Sequence, residues 1–357
     1  MEERGFRTYT ILRPMAWVYS AVTSLRNLLY DKGVLSSYRP DYPLICVGNI
    51  TAGGTGKTPH TEYLARLLQE RYRTAVLSRG YGRRTGGYIL AGPETDASVI
   101  GDEPYQMSRK LQNVAFAVCE KRAIGLKRLE EDVHPDAVLL DDAFQHRAVT
   151  PSLNILLVNW HRNITDDRVI PEGLLREPVR GKDRADIIIV TKCPDDMTRE
   201  QMEKLRAALH PNPAQSVYFT RFHYCSLVSM YDGSERRLDS VSGDTHVVLA
   251  TGVASPAPIM NTLKQRTDRV SQLKFPDHHK FSDGDMNLIW ETLGMQSGSD
   301  RIVIVTEKDA AKIRSLGIRE ELERHIYILP VTIGFLADGD LFDQSIINHI
   351  ENFRKQS

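Results

Sequence analysis

Residues 44–59 read Leu44-Ile45-Cys46-Val47-Gly48-Asn49-Ile50-Thr51-Ala52-Gly53-Gly54-Thr55-Gly56-Lys57-Thr58-Pro59, and the order of residue types here decides the fold. A short apolar run predicts a buried strand, the glycines predict a loop that exposes backbone N–H groups, and Lys57-Thr58 predicts the first turn of a helix. That succession is a phosphate cradle; an ordinary Gly-rich turn opening a helix requires only part of it. Side chains at Gly53, Gly54 and Gly56 would obstruct donors converging on phosphate oxygens. Lys57 supplies a cation near the β/γ-phosphates and Thr58 a hydroxyl for Mg²⁺. The nucleotide-binding residues are therefore Thr51, Ala52, Gly53, Gly54, Thr55, Gly56, Lys57 and Thr58. Thr51 stands where the general P-loop begins with Gly, so the loop matches the Gly-Gly-x-Gly-Lys-Thr variant of nucleotide-binding ATPases and GTPases.

Working outward, the chain of 357 residues exceeds the usual size of one core, which predicts two α/β domains. Its 46 basic and 46 acidic residues cancel, which argues against a nucleic-acid partner and leaves any membrane or anion affinity to local patches. Cys46, Cys119, Cys193 and Cys225 are far apart and form no Cys-x-x-Cys pair, as expected of reduced, packed thiols in a cytosolic protein.

Ahead of the loop, Arg4, Arg7, Arg13, Arg26, Lys32 and Arg39 outweigh Glu2, Glu3 and Asp31. From Pro14 onward, Met15, Val18, Val22, Leu25 and Leu29 recur at helical spacing. The uncharged segment from Pro14 to Leu25 is shorter than the roughly 20 apolar residues a membrane span needs, and no signal-peptide cleavage pattern follows. The stripe suits a helix lying in an interface and equally one packed on the protein's own core.

Behind the loop, Thr74–Ser78 predicts a strand followed by Arg79-Gly80-Tyr81-Gly82-Arg83, a Gly-rich turn where doubly wound folds place ligands; Arg79 and Arg83 each suit phosphate and equally a solvated surface. Gly101-Asp102-Glu103-Pro104 sets two carboxylates at a helix start, which N-terminal capping alone would explain. The apolar run from Ala137 ends in Asp141-Asp142; an acid at the end of a strand beside a P-loop holds the Mg²⁺ that Thr58 also touches. Phe144-Gln145-His146-Arg147 adds polar groups to the same rim. Thr191-Lys192-Cys193-Pro194 is similar to the base-reading loop of GTPases but lacks its Asp. Composition shifts at Pro211 and Pro213, and Ser216–Val228 with Glu235–Val241 predicts a two-stranded hairpin around Asp232-Gly233. His278-His279 would bind metal only if further ligands converged.

The expected fold is α/β: a P-loop NTPase-like, doubly wound, mostly parallel sheet with a second, smaller α/β domain joined by a hairpin hinge. The expected divisions are an N-terminal helix region (1–40), a P-loop core (41–213), the hinge (214–243), the smaller domain (244–339) and a C-terminal helix (340–357).

Taken together, these motifs resemble the tetraacyldisaccharide 4'-kinase family, the lipid A pathway kinases of the Gram-negative inner membrane. The resemblance covers nearly the whole chain. It runs through the amphipathic helix, the P-loop, Ser78-Arg79-Gly80-Tyr81-Gly82, Gly101-Asp102-Glu103-Pro104, Leu140-Asp141-Asp142 with Phe144-Gln145-His146, Leu175-Arg176-Glu177-Pro178, Phe275-Pro276-Asp277-His278 and Thr306-Glu307-Lys308-Asp309. Ala143 departs from the family's usual Gly, and Lys121 precedes Arg122 where relatives often carry another Arg.

The resemblance implies transfer of the ATP γ-phosphoryl group to the 4'-hydroxyl of a tetraacylated glucosamine disaccharide 1-phosphate, giving the lipid A bisphosphate precursor. It implies Asp102 as base, His278 as the residue that orients and tunes it, and Lys57 as a stabiliser of the transferring group. Thr58, Glu103, Asp141 and Asp142 become the Mg²⁺ candidates, and Arg122, Gln145, Arg176 and Glu177 further site residues beside Arg79. A substrate with four acyl chains resides in a bilayer. The N-terminal helix is then a membrane contact, placing the protein at the cytoplasmic face of the inner membrane as a peripheral or monotopic enzyme without a span. Two readings compete: a P-loop GTPase acting as metallochaperone or partner-regulated switch, with His278 and His279 as ligands, and an ATP-binding membrane scaffold. The first lacks the base-reading Asp and a His/Cys cluster; the second leaves Asp102 and His278 without a role.

Overall fold

The computed structural model describes residues 9–253, 255–277, 279–295, 300–314 and 316–356. The chain forms two units, one running to Phe222 and resuming at Ile333, the other comprising His223–Thr332.

In the larger unit the order is α1 (Arg13–Asp31), β1 (Leu44–Gly48), α2 (Lys57–Gln69), β2 (Thr74–Ser78), β3 (Ile89–Leu90), α3 (Ala97–Ile100), α4 (Asp102–Lys110), β4 (Ala115–Val118), α5 (Arg122–Val133), β5 (Ala137–Asp141), β6 (Leu153–Asn159), β7 (Ile187–Thr191), α6 (Arg199–Leu209) and β8 (Ser216–Tyr224). The P-loop strand behaves as its residues dictate. Leu44 and Cys46 enter one core layer, Ile45 and Val47 the other, the two-residue period of a strand covered on both faces. β1 lies between β5 and β6 and pairs in parallel with both, so its C-terminal end opens where neighbouring connections diverge.

The smaller unit adds β9 (Leu227–Ser229), β10 (Glu235–Arg236), β11 (His246–Thr251), α7 (Ala257–Lys264), β12 (Val270–Lys274), α8 (Asp283–Gly294), β13 (Arg301–Thr306), α9 (Glu307–Ile313), α10 (Glu320–Glu323) and β14 (Ile326–Leu329). β15 (Val331–Phe335) carries the chain back, and α11 (Gly339–Gln356) ends it. The larger sheet runs β15-β8-β7-β6-β1-β5-β2-β4-β3 and the smaller β10-β9-β14-β13-β11-β12. β11 to β14 pair in parallel, while β9 is antiparallel to β14 and β10. The expected C-terminal helix belongs to the larger unit. Phe342, Ile346 and Ile350 of α11 are fully buried in the layer that holds Ile45 and Val47, each burial contributing roughly 1.5–3 kcal/mol.

The hinge hairpin expected over 214–243 is corrected. β8 runs parallel to β7 within the larger sheet, Ile188 opposite Val217 and Val190 opposite Phe219, and only Leu227–Arg236 retains a short antiparallel pairing. Val217, Phe219 and Thr220 are buried, which marks a strand covered on both faces and not a solvated connector. The unit boundary therefore falls after Phe222, beyond the prolines at 211 and 213.

Thr306-Glu307-Lys308-Asp309 opens α9. Thr306 Oγ1 accepts from the Asp309 amide, and the buried Asp309 carboxylate accepts from Thr251 Oγ1 at 2.8 Å and the Gly252 amide at 3.1 Å. The motif thus ties the ends of β11 and β13 together.

Candidate active site

Between β1 and α2 the loop takes the shape its glycines allow. Gly56 caps α2 at φ +87°, a left-handed conformation costly for residues with a Cβ. Its other flank is fixed by backbone pairing: the Ala52 amide donates to Leu174 O and the Arg176 amide to Ile50 O, both at 2.7 Å. The buried Thr55 Oγ1 has no hydrogen-bond partner among the described residues. That orphan, with Lys57 and Thr58 in the first turn of α2, fits a nucleotide phosphate.

One strand away, β5 delivers two carboxylates into opposite environments. Asp141 is buried, accepts from Thr61 Oγ1 at 3.1 Å, and is pushed up to about 7 by burial first, then by repulsion from Glu103 and Asp142; Lys57 and Thr61 oppose the rise. Asp142 follows at φ +48°, turned outward to Arg176 Nη1 at 3.1 Å and Lys57 Nζ at 3.7 Å. Glu103 acts on Asp141 because the first turn of α4 comes to the same rim, bringing half-buried Asp102 with it. Gly101 makes the approach possible: a Cβ there would lie 2.7 Å from Tyr81 O, so Gly80-Tyr81 and Gly101-Asp102-Glu103-Pro104 form one packed element.

A buried carboxylate whose proton affinity is raised by neighbouring acids marks a site that a divalent cation relieves. Among the described residues no group of three or more His, Cys, Asp or Glu side chains converges as a closed metal cage. Mg²⁺ does not require one, since it takes one or two carboxylates with substrate phosphates and water. Asp141, with Glu103 close enough to repel it, offers carboxylates of the kind Mg²⁺ takes in that way.

A second ring surrounds this centre. Arg122, buried at the start of α5, donates from Nη1 to Cys119 O at 2.7 Å, while its Nε is buried without a partner among the described residues. Burial lowers its proton affinity, opposed by Asp141 and Asp142. His146 is held down to about 4 by burial and then by Arg122, Arg79 and Arg26, so it is neutral at pH 7. Arg79 is exposed at the exit of β2. Gln145 donates to Asn49 O at 2.7 Å and Glu177 Oε1 at 2.9 Å. The fully buried Glu177 also accepts from Asn27 and Arg184, so its oxygens are engaged internally and it braces the ring.

The Asn27 contact joins α1 to this ring. Ala16 and Thr23 are buried and Ser20 and Asn27 half-buried, so the helix docks by small and polar side chains. Tyr19 OH donates to Arg176 O at 3.0 Å and Arg13 pairs with Glu172 at 3.0 Å. Most of the apolar stripe faces outward, with Met15, Val18, Val22 and Leu25 from 58 % to 66 % exposed and Leu29 half-buried. Among the described residues no helix is long and apolar enough to cross a membrane.

The structure thus gathers Lys57, Glu103, Asp141, Asp142 and Arg176 at one rim, with Arg122, Gln145 and Glu177 behind it. His278 lies outside the described residues. Its neighbour His279 stacks on Phe275, ring centroids 4.9 Å apart, and pairs with Asp285 at 3.0 Å, a packing role and not a metal-binding one. Sequence reasoning missed Asn27, Asn49, Thr61 and Arg184. Thr61 was open to detection, one helical turn after Thr58 on the face toward β5; Asn27 and Arg184 carry no local signal.

The chain matches the family described as Tetraacyldisaccharide-1-P 4'-kinase over residues 8–351. It is 44 % identical to the tetraacyldisaccharide 4'-kinase of Bacteroides thetaiotaomicron over 370 residues, covering 100 % of this chain and 97 % of that one. It is also 44 % identical to the enzyme of that name from Parabacteroides distasonis over 348 residues, covering 96 % and 94 %. Its fold superposes on LpxK from Aquifex aeolicus, crystallised in complex with ATP, with a TM-score of 0.74 and 27 % identity over 96 % of this chain and 99 % of that one. The GTPase reading finds no support among these relatives.

Proposed function

The chain belongs to the tetraacyldisaccharide-1-phosphate 4'-kinase family, and we propose that it transfers the γ-phosphoryl group of ATP to the 4'-hydroxyl of a tetraacylated glucosamine disaccharide 1-phosphate at a membrane surface. One observation carries the reading: the P-loop lysine stands 3.7 Å from Asp142 at the end of β5, and Glu103 of α4 is close enough to act on the adjacent Asp141, so the acids of α4 and β5 and the lysine share one rim.

A sugar hydroxyl is a weak nucleophile at neutral pH, so the reaction needs a positioned base and stabilised phosphoryl charge. Asp102 accepts the 4'-hydroxyl proton as that oxygen bonds to the γ-phosphorus. The bond to the β-phosphate oxygen breaks, and ADP carries away the displaced charge. The family resemblance also assigns His278 a role in catalysis. Lys57 and the P-loop amides stabilise charge on the transferring group, with Arg176 and Asp142 fixing the lysine's surroundings. Thr58, Glu103, Asp141 and Asp142 would hold Mg²⁺, which when bound neutralises phosphate charge. Arg79 and Arg122, cationic and beside the rim, suit the anionic substrate.

Membrane contact rests on α1. Its small and polar residues face the protein while its apolar residues face out, the reverse of a helix packed on its own core. That arrangement, with Arg13 and Arg26 alongside, suits an interfacial helix at an anionic bilayer, in keeping with the cytoplasmic face of an inner membrane.

The test is phosphoryl transfer from labelled ATP to lipid A disaccharide 1-phosphate in detergent micelles, comparing the parent with Asp102→Ala and His278→Ala while measuring ATP binding in each. The parent is expected to form the bisphosphate and both variants to lose turnover while binding ATP. A parent that makes no lipid product and hydrolyses GTP selectively would overturn the assignment.

A further inference from the structure

Three successive carbonyls of the P-loop are each held from outside the loop. Gly54 O accepts from Lys192 Nζ at 2.7 Å, Thr55 O from Thr191 Oγ1 at 2.8 Å, and Gly56 O from His60 Nδ1 at 2.7 Å. A trans peptide is planar, with its C=O and the following N–H pointing in opposite directions. Pinning these carbonyls outward therefore turns the amides of Thr55, Gly56 and Lys57 inward, the orientation a phosphate requires.

The three donors come from two elements. Thr191 and Lys192 stand at the exit of β7, Lys192 in the left-handed region at φ +60°, and His60 lies in α2. β8 backs two of them. Thr220 Oγ1 lies 2.9 Å from His60 Nε2, and the Phe222 ring sits beneath Lys192 Nζ at 5.4 Å; a Cβ on Gly56 would come within 3.0 Å of that ring. Buried His60 is held down to about 4, hence neutral at pH 7. Its Nδ1–H must donate to Gly56 O, which leaves Nε2 to accept from Thr220. Lys192 is the charged member of the three, and burial and Lys57 both lower its proton affinity. Two ammonium groups repelling each other beside an anion cradle gain when a polyphosphate arrives.

We propose that Lys192 is a positioning residue for nucleotide: through Gly54 O it orients the Thr55 amide toward the phosphates, as Thr191 and His60 do for the next two amides. Thr191-Lys192-Cys193-Pro194 then acts on the backbone of the phosphate loop, not on a base. The inference rests on the nucleotide half of the function proposed above and is independent of the acceptor.

The test is calorimetric titration of the full chain with MgADP, in the parent, Lys192→Met, Lys192→Arg and Thr191→Val. Lys192→Met is expected to weaken MgADP about 10-fold, the effect of one charge-assisted hydrogen bond, and Lys192→Arg to restore most of it. In steady-state assays KM for ATP rises in parallel with kcat changed less than about 3-fold, which separates positioning from a transition-state role. Unchanged MgADP affinity in Lys192→Met, or a fall in kcat without a rise in KM, overturns the proposal. Should Lys192→Met fail to fold, Thr191→Val decides: about 3-fold weaker MgADP supports the brace and unchanged affinity sinks it. A parent that binds MgADP but phosphorylates no lipid refutes the kinase reading and leaves the brace standing.

Discussion

The nucleotide rim and the N-terminal helix spend stability in opposite currencies. At the rim, carboxylates crowd one another until Asp141 holds its proton to about 7, and lysines crowd around the P-loop. On α1, Val18, Val22 and Leu25 stand in water while Thr23 is buried. Each arrangement is unfavourable for the isolated chain and becomes favourable on binding: charge on charge at the rim, apolar on apolar at the helix. Sites that break local rules in this way mark function, and the kind of rule broken names the kind of ligand.

The sharpest way to break the comparison is at the proposed base. Asp102→Ala is expected to lower kcat by roughly 10³-fold with ATP affinity nearly unchanged, measured by single-turnover transfer and by titration with nucleotide. An equal loss of ATP affinity would make Asp102 a binding residue.

Asp141→Asn comes next, with activity down roughly 10²-fold and stability moving the other way. The folded-state carboxyl binds its proton more tightly than the unfolded chain does, since its pKa is raised from 3.8 to about 7. Ligand-free stability is therefore full below the unfolded value and is lost as pH rises through about 7. The variant is expected to melt a few degrees higher than the parent at pH 8, with the gain vanishing near pH 4, as read by calorimetry. A lower melting temperature at pH 8 would show that the Thr61 hydrogen bond outweighs the charge strain.

On the helix, Val18→Glu with Val22→Glu is expected to weaken sedimentation with anionic vesicles at least ~10-fold and leave ATP binding and melting temperature unchanged. Unaltered vesicle binding would dissolve the comparison. The smallest effect belongs to Tyr19→Phe, which removes the bond to Arg176 O on the docked face and should cost no more than about 1 kcal/mol in denaturant unfolding.

Much of this was legible in the chain itself. The P-loop, the acid pair after β5 and the parallel sheet follow from local rules, because a strand's two-residue period, a glycine's backbone freedom and a helix N-terminus act within a few residues. Leu44-Ile45-Cys46-Val47 could be read as a strand covered on both faces without knowing what covered it. The expected hinge failed because Ser216–Tyr224 carries enough alternating polarity for a hairpin, while its burial depends on β7, which no window around residue 220 contains.

What the sequence determined alone is the chemistry available: a phosphate loop, acids for a cation, an amphipathic helix. Only the tertiary structure decided how those groups are used. It set Glu103 beside Asp141, closed Glu177 into a brace, turned the small face of α1 inward and brought Lys192, 138 residues downstream, onto the Gly54 carbonyl. Residue type and local conformation are short-range properties, whereas charge coupling and burial depend on which distant segments the packed core brings together.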